Sequence, residues 1–127
     1  MKKEIIICVI VIIFVLILNT MTESHTDFVL EEIEEKLTEI RNDLLDENYG
    51  DLDKKYDDTF EIWKEESEIL AIYIEHDELE KIAMYLTETN SHIETEEYNM
   101  AVQSIDTCNF IMEHIKEKYK FSLKNIF

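Results

Sequence analysis

Every position from Ile5 to Leu18 is apolar, and beyond that run the pattern changes to apolar residues spaced three and four apart among carboxylates. A bilayer core takes about 17–25 helical residues, so the run is short by itself. Asn19, Thr20, Met21 and Thr22 are uncharged, however, and allow a helix to continue from Leu18 to the interface. A cleaved secretory signal is the alternative, since its apolar region spans roughly 7–15 residues before a small-x-small site. Residues 17–24 read Ile-Leu-Asn-Thr-Met-Thr-Glu-Ser and offer no such site, and Ile7 before Cys8 does not suit lipoprotein attachment. The pattern predicts an uncleaved membrane anchor over residues 1–22, contacting the lipid bilayer through residues 5–21, with cleavage as the open alternative. Lys2 and Lys3 flank one side of the run and Glu23 and Asp27 the other. Cations stay on the cytoplasmic side, so the N-terminus is expected inside and residues 23 onward outside the cytoplasm.

Leu30, Ile33, Leu37, Ile40 and Leu44 form a seam on a helix predicted over Thr26–Glu47. No breaker separates it from the anchor, so the two can form one rod. Asn48-Tyr49-Gly50 is expected to end it, with Gly50 in the left-handed cap position. A second helix is predicted over Asp51–Ile74 on Leu52, Tyr56, Phe60, Trp63, Leu70 and Ile74, with Ser67 interrupting the stripe. Asp77 and Glu80 have the spacing of a capping box for a third helix on Leu79, Ile82, Leu86 and Ile93. Thr95 is placed to cap a fourth, Glu96–Lys118, on Ala101, Val102, Ile105, Cys108, Met112 and Ile115. The fold expected is all-α: an N-terminal transmembrane helix followed by a small antiparallel four-helix bundle made of two helical hairpins. The bundle spans 23–118, and an apolar C-terminal tail covers 119–127. Two stacked hairpins of the tetratricopeptide type are the rival architecture, but such arrays usually need about three units. Whether the first-helix seam pairs within the chain or between chains stays open, as does the oligomeric state.

Composition narrows the reading further. Proline is absent and glycine occurs once, which leaves no turn chemistry for sandwiches, barrels or βαβ units. The net charge is −18, and removing residues 1–21 takes away two lysines and one glutamate, leaving −19. So acidic a domain repels phosphate backbones and excludes nucleic acid as a partner. Cys108 is alone outside the membrane run, with apolar neighbours at helical spacing, and is expected as a small buried hydrophobe.

Candidate chemistry is sparse. Most carboxylates lie opposite the apolar stripes, as on a solvated helix face, rather than converging as a catalytic pair must. Carboxylate-bridged metal bundles need Glu-x-x-His pairs, and Thr22, Tyr73, Thr89 and Ile111 stand three residues before the four histidines. Weak divalent-cation binding by acidic clusters is the most that pattern allows. With no nucleophile elbow and no Gly-rich phosphate loop, no catalytic, cofactor-binding or metal-ligating residue is assigned and no enzyme is expected. Trp63 sits in the second helix's apolar line, and His76 lies at an inter-helix joint, where its ring can bond a free backbone group. Phe121, Leu123 and Ile126 follow the last helix and are expected to pack across the bundle end or, if exposed, to dock a partner or touch the bilayer. These five are the candidate interaction residues.

Trp63, His76-Asp77-Glu78-Leu79 and Glu113-His114-Ile115-x-Glu117-Lys118-x-Lys120-Phe121-Ser122-Leu123-x-Asn125-Ile126 resemble a family of short Firmicutes proteins carrying a domain of unknown function. Lys116 departs from the proline expected in that pattern, so the end of the last helix is expected to differ. The resemblance implies a lysine-flanked membrane segment followed by acidic helices and transfers no catalytic residue. The expected function is a membrane-anchored, extracytoplasmic interaction or accessory protein of a bacterial cell, binding a neighbouring membrane protein. The alternative is a divalent-cation or small-ligand sensor.

Overall fold

The computed structural model describes the backbone of residues 1–126 and the side chains through Lys120. Four helices follow in order: α1 (Lys2–Leu45), α2 (Leu52–Leu70), α3 (His76–Glu94) and α4 (Tyr98–Ile126). Among the described residues there is no strand.

α1 joins the predicted anchor and the first bundle helix without a break. Thr20 and Thr26 donate their hydroxyls to the carbonyls of Leu16 and Thr22 at 2.9 and 2.8 Å. Thr22 donates to Asn19 and Leu18. Bonded to carbonyls of their own helix, these hydroxyls leave no loose donor, and the polar stretch after Leu18 stays helical. α1 is long and, in its N-terminal part, apolar enough to cross a membrane, and its most apolar stretch is not buried by the rest of the chain.

Further along α1, Leu30, Ile33, Leu37, Ile40 and Leu44 are buried inside this one chain, so the seam pairs intramolecularly. α1 lies between α2 and α4, and α3 lies beside α4, while the α2/α3 contact is the sparsest of the four. α1 and α3 therefore sit diagonally across one core, as do α2 and α4. Leu70, Ile82, Leu86, Ile105, Met112 and Ile115 complete its most buried part, each such side chain contributing about 1.5–3 kcal/mol by leaving water. Cys108 is buried in that core. Phe60 and Val102 are only partly buried. Thr59 and Thr89 are buried instead, each donating to the carbonyl four residues earlier at 2.7 Å.

The turns differ from the expected caps. Gly50 does not take the left-handed position; Glu47 does, at φ 59. The bonds Asn48 N–H to Asp43 O and Glu47 N–H to Leu44 O close a Schellman motif. α3 ends identically, with Glu96 at φ 58 and bonds from Glu97 N–H to His92 O and Glu96 N–H to Ile93 O. Thr95 thus closes α3 and does not cap α4; its hydroxyl donates back to Ser91 O. Asp77 does not cap α3 either, because that helix starts two residues earlier than such a cap requires, with Glu75 as its cap residue and no side-chain cap bond. Tyr49 and Tyr98, which follow the two turns at the same offset of 49 residues as Glu47 and Glu96, stack at 4.0 Å with ring planes 12° apart. The two hairpins therefore meet at equivalent residues. α4 runs past Lys118 to Ile126, because Lys116 continues the helix where a proline would have stopped it.

Candidate functional site

Two surface features gather side chains with chemical character. The first is a groove of about 280 Å³ along the sparsely packed α2/α3 side. Trp63, Ser67 and Ala71 of α2 and its end face His76, Leu79 and Ala83 of α3, with Glu68 and Glu80 at the rim. Small residues at 67, 71 and 83 leave the apolar floor uncovered. Trp63 is 4% exposed, so its ring is a wall of this groove and of the core at once.

Of the expected interaction residues, the structure brings Trp63 and His76 to this one groove. His76 does not bond a helix end; its Nε2 stands 3.1 Å from Glu80 Oε1 one turn on, and it is mostly exposed. Its expected task falls to Tyr119, whose hydroxyl accepts the Glu75 N–H at 2.9 Å. Phe121, Leu123 and Ile126 have side chains outside the described residues; their backbone continues α4.

The second feature is a cleft of about 510 Å³ along α1 and α4, lined by Glu31, Glu34, Glu35, Thr38, Glu39 and Asn42 with Glu113 and Lys116. Lys116 Nζ reaches Glu113 Oε1 at 2.6 Å and Glu34 Oε2 at 3.1 Å, with Glu31 Oε1 at 4.0 Å. Glu34 Oε1 is buried without a hydrogen-bond partner. Burial pushes the Glu34 carboxyl up to about 7, and its hydrogen bond with Glu113 adds to the rise while Lys116 opposes it. Glu113 is held below the usual carboxylate range by Lys116 and then Glu34. Burial works against the charge of Lys116, but its bonds to Glu113 and Glu34 outweigh that and raise its pKa. Sequence reasoning placed these carboxylates on a solvated face. The available signal was Glu113 and Lys116 at i,i+3, which joins two charges on one helix face. Among the described residues, no group of three or more His, Cys, Asp or Glu is arranged to hold a metal ion.

Fold and surface together define an all-α bundle carried on a helix long and apolar enough to cross a membrane. The chain belongs to the family defined by DUF4363, a domain of unknown function, whose model matches residues 20–126. No curated protein and no solved structure matches it.

Proposed function

We propose that this chain is a single-pass, membrane-anchored interaction protein of a bacterial cell, with its N-terminus cytoplasmic and its bundle outside. The occupant of the α2/α3 groove is a helical segment of a neighbouring membrane protein. The observation that carries this reading is the asymmetry of the bundle: the α1/α4 cleft is lined by carboxylates and ion pairs, whereas the opposite, more sparsely packed α2/α3 side leaves an apolar strip beside Trp63. That strip runs along the helices, as a helix-in-groove contact requires. Anchoring raises the effective concentration of two proteins in one membrane, so a groove this small needs little intrinsic affinity.

Photo-crosslinking side chains placed at Ser67 and Ala83 test this in native membranes, with Asp46 and Phe110 as controls. The reading predicts one crosslinked membrane protein from the groove positions and none from the controls. Equal adducts from all four positions, or none from the groove, contradict it.

The cleft around Glu34 supports a second reading, a cation- or ligand-responsive module, because five glutamates line it and only three of them reach its one lysine, Lys116. A calcium-induced rise in Tm beyond that of a monovalent salt at equal ionic strength would favour it. No rise, in keeping with the lack of a metal-holding cluster among the described residues, would remove it.

A further inference from the structure

The three connections of the bundle differ in a way that the core does not require. At one end stand Asp46-Glu47-Asn48 and Thr95-Glu96-Glu97, polar and acidic as solvent-facing turns usually are. At the other end, the chain passes from α2 to α3 through Ile69-Leu70-Ala71-Ile72-Tyr73-Ile74, six apolar residues in succession. Only Leu70 and Ile74 of these are buried; Ile69 and Ile72 are 45% and 81% exposed, and Ala71 is exposed as well.

This apolar turn is the end that faces the anchor. Tyr73 packs edge-on to His25 with ring centroids 6.4 Å apart, and Glu66 Oε2 lies 3.4 Å from His25 Nε2. A hydrocarbon core takes roughly 20 helical residues, and twenty counted from Ile5 end at Ser24, next to His25. Because α1 is unbroken, no linker lets the bundle rise away from that level. The apolar run from Ile5 to Leu18 is itself shorter than a bilayer core, which draws the base of the bundle toward the surface. Asp27 lies 4.0 Å from Lys120, and Glu75 and Glu78 lie 3.5 and 3.0 Å from Lys118, so several carboxylates here face cations.

We propose that the α2–α3 turn is a second membrane contact, with Ile69, Ala71 and Ile72 seated in the interfacial layer of the same bilayer that α1 crosses. This rests on the anchored reading. Amphipathic contact of this kind fixes the rotation of the bundle about α1 and turns the α2/α3 groove to one defined direction in the membrane plane.

The test uses the full chain with Cys8→Ser, since Cys108 is buried, and an environment-sensitive fluorophore on Leu18→Cys, Ile72→Cys or Phe110→Cys. Each variant is reconstituted into phosphatidylcholine vesicles with and without headgroup-proximal nitroxide lipid. The proposal expects blue-shifted, nitroxide-quenched emission at 18 and 72 and neither effect at 110, which is also outward-facing, at 72% exposure, but stands near the middle of α4. Quenching at 18 with position 72 behaving like 110 overturns the turn contact and leaves the anchor standing. Loss of quenching at 18 as well overturns the anchor and the turn contact together.

Discussion

Glu34 Oε2 accepts from Lys116 Nζ at 3.1 Å, joining α1 to α4 across 82 positions of sequence. The bond lies where burial raises Glu34 to about 7 from an ordinary 4.5. Between those values the folded protein holds a proton that the unfolded chain has lost, so stability falls as pH rises from about 4.5 to about 7. Glu113, lowered chiefly by Lys116, acts with the opposite sign. Its contribution is present above the ordinary carboxylate pKa and lost as pH falls through its lowered value. Glu34→Gln removes the first effect and keeps the hydrogen-bonding shape. Thermal melts are expected to show the variant level with wild type near pH 4.5, gaining on it up to about pH 7 and keeping a constant lead above that. A constant offset across that range would contradict the assignment.

The seam of α1 is filled within the chain. Leu37→Ala leaves a cavity in a fully buried position and is expected to cost about 2–5 kcal/mol in denaturant unfolding. Phe28→Ala, on the same helix but 68% exposed, is expected to change stability by less than about 0.5 kcal/mol. The cost at Leu37 should not vary with protein concentration, as it would if the seam joined two chains.

Glu47 holds a left-handed backbone that costs a non-glycine residue about 1–2 kcal/mol, at a helix end where a carboxylate also opposes the dipole. Glu47→Gly is expected to stabilise by about 0.5–1 kcal/mol after the extra chain entropy of glycine is deducted. Gly50 has no positive φ, and a Cβ there meets nothing within 4 Å. Gly50→Ala should therefore also stabilise, by about 0.4–1 kcal/mol. Urea titrations of the two variants decide this, and destabilisation by either would show that the turn is misread.

Helix identity and the buried seams were legible because apolar spacing records which face leaves water, as at Leu30 through Leu44 and Ala101 through Ile115. Cap positions were not. Gly50 is the residue best suited to a left-handed cap, yet the Schellman geometry falls on Glu47 because α1 ends earlier, at Leu45. Thr95 has the chemistry of an N-cap and instead returns its hydroxyl to the helix behind it. The groove was half legible: Trp63 and His76 were each visible, but their meeting depends on α2 and α3 packing less closely than α1 and α4. The Glu34–Lys116 bond joins distant segments, and single-chain periodicity carries no signal for it.

Both the proposed use of the groove and the proposed second membrane contact depend on α1 being one rigid helix from its apolar segment to the bundle. The most direct measurement is the spin–spin distance between labels at Phe14→Cys and Phe28→Cys in the Cys8→Ser chain, reconstituted in vesicles. Fourteen residues of unbroken helix give about 21 Å between backbone positions. A single narrow distribution near that value, unchanged between vesicles and detergent, is the predicted result. A broad or shortened distribution would mean a hinge between span and bundle, and would contradict the account.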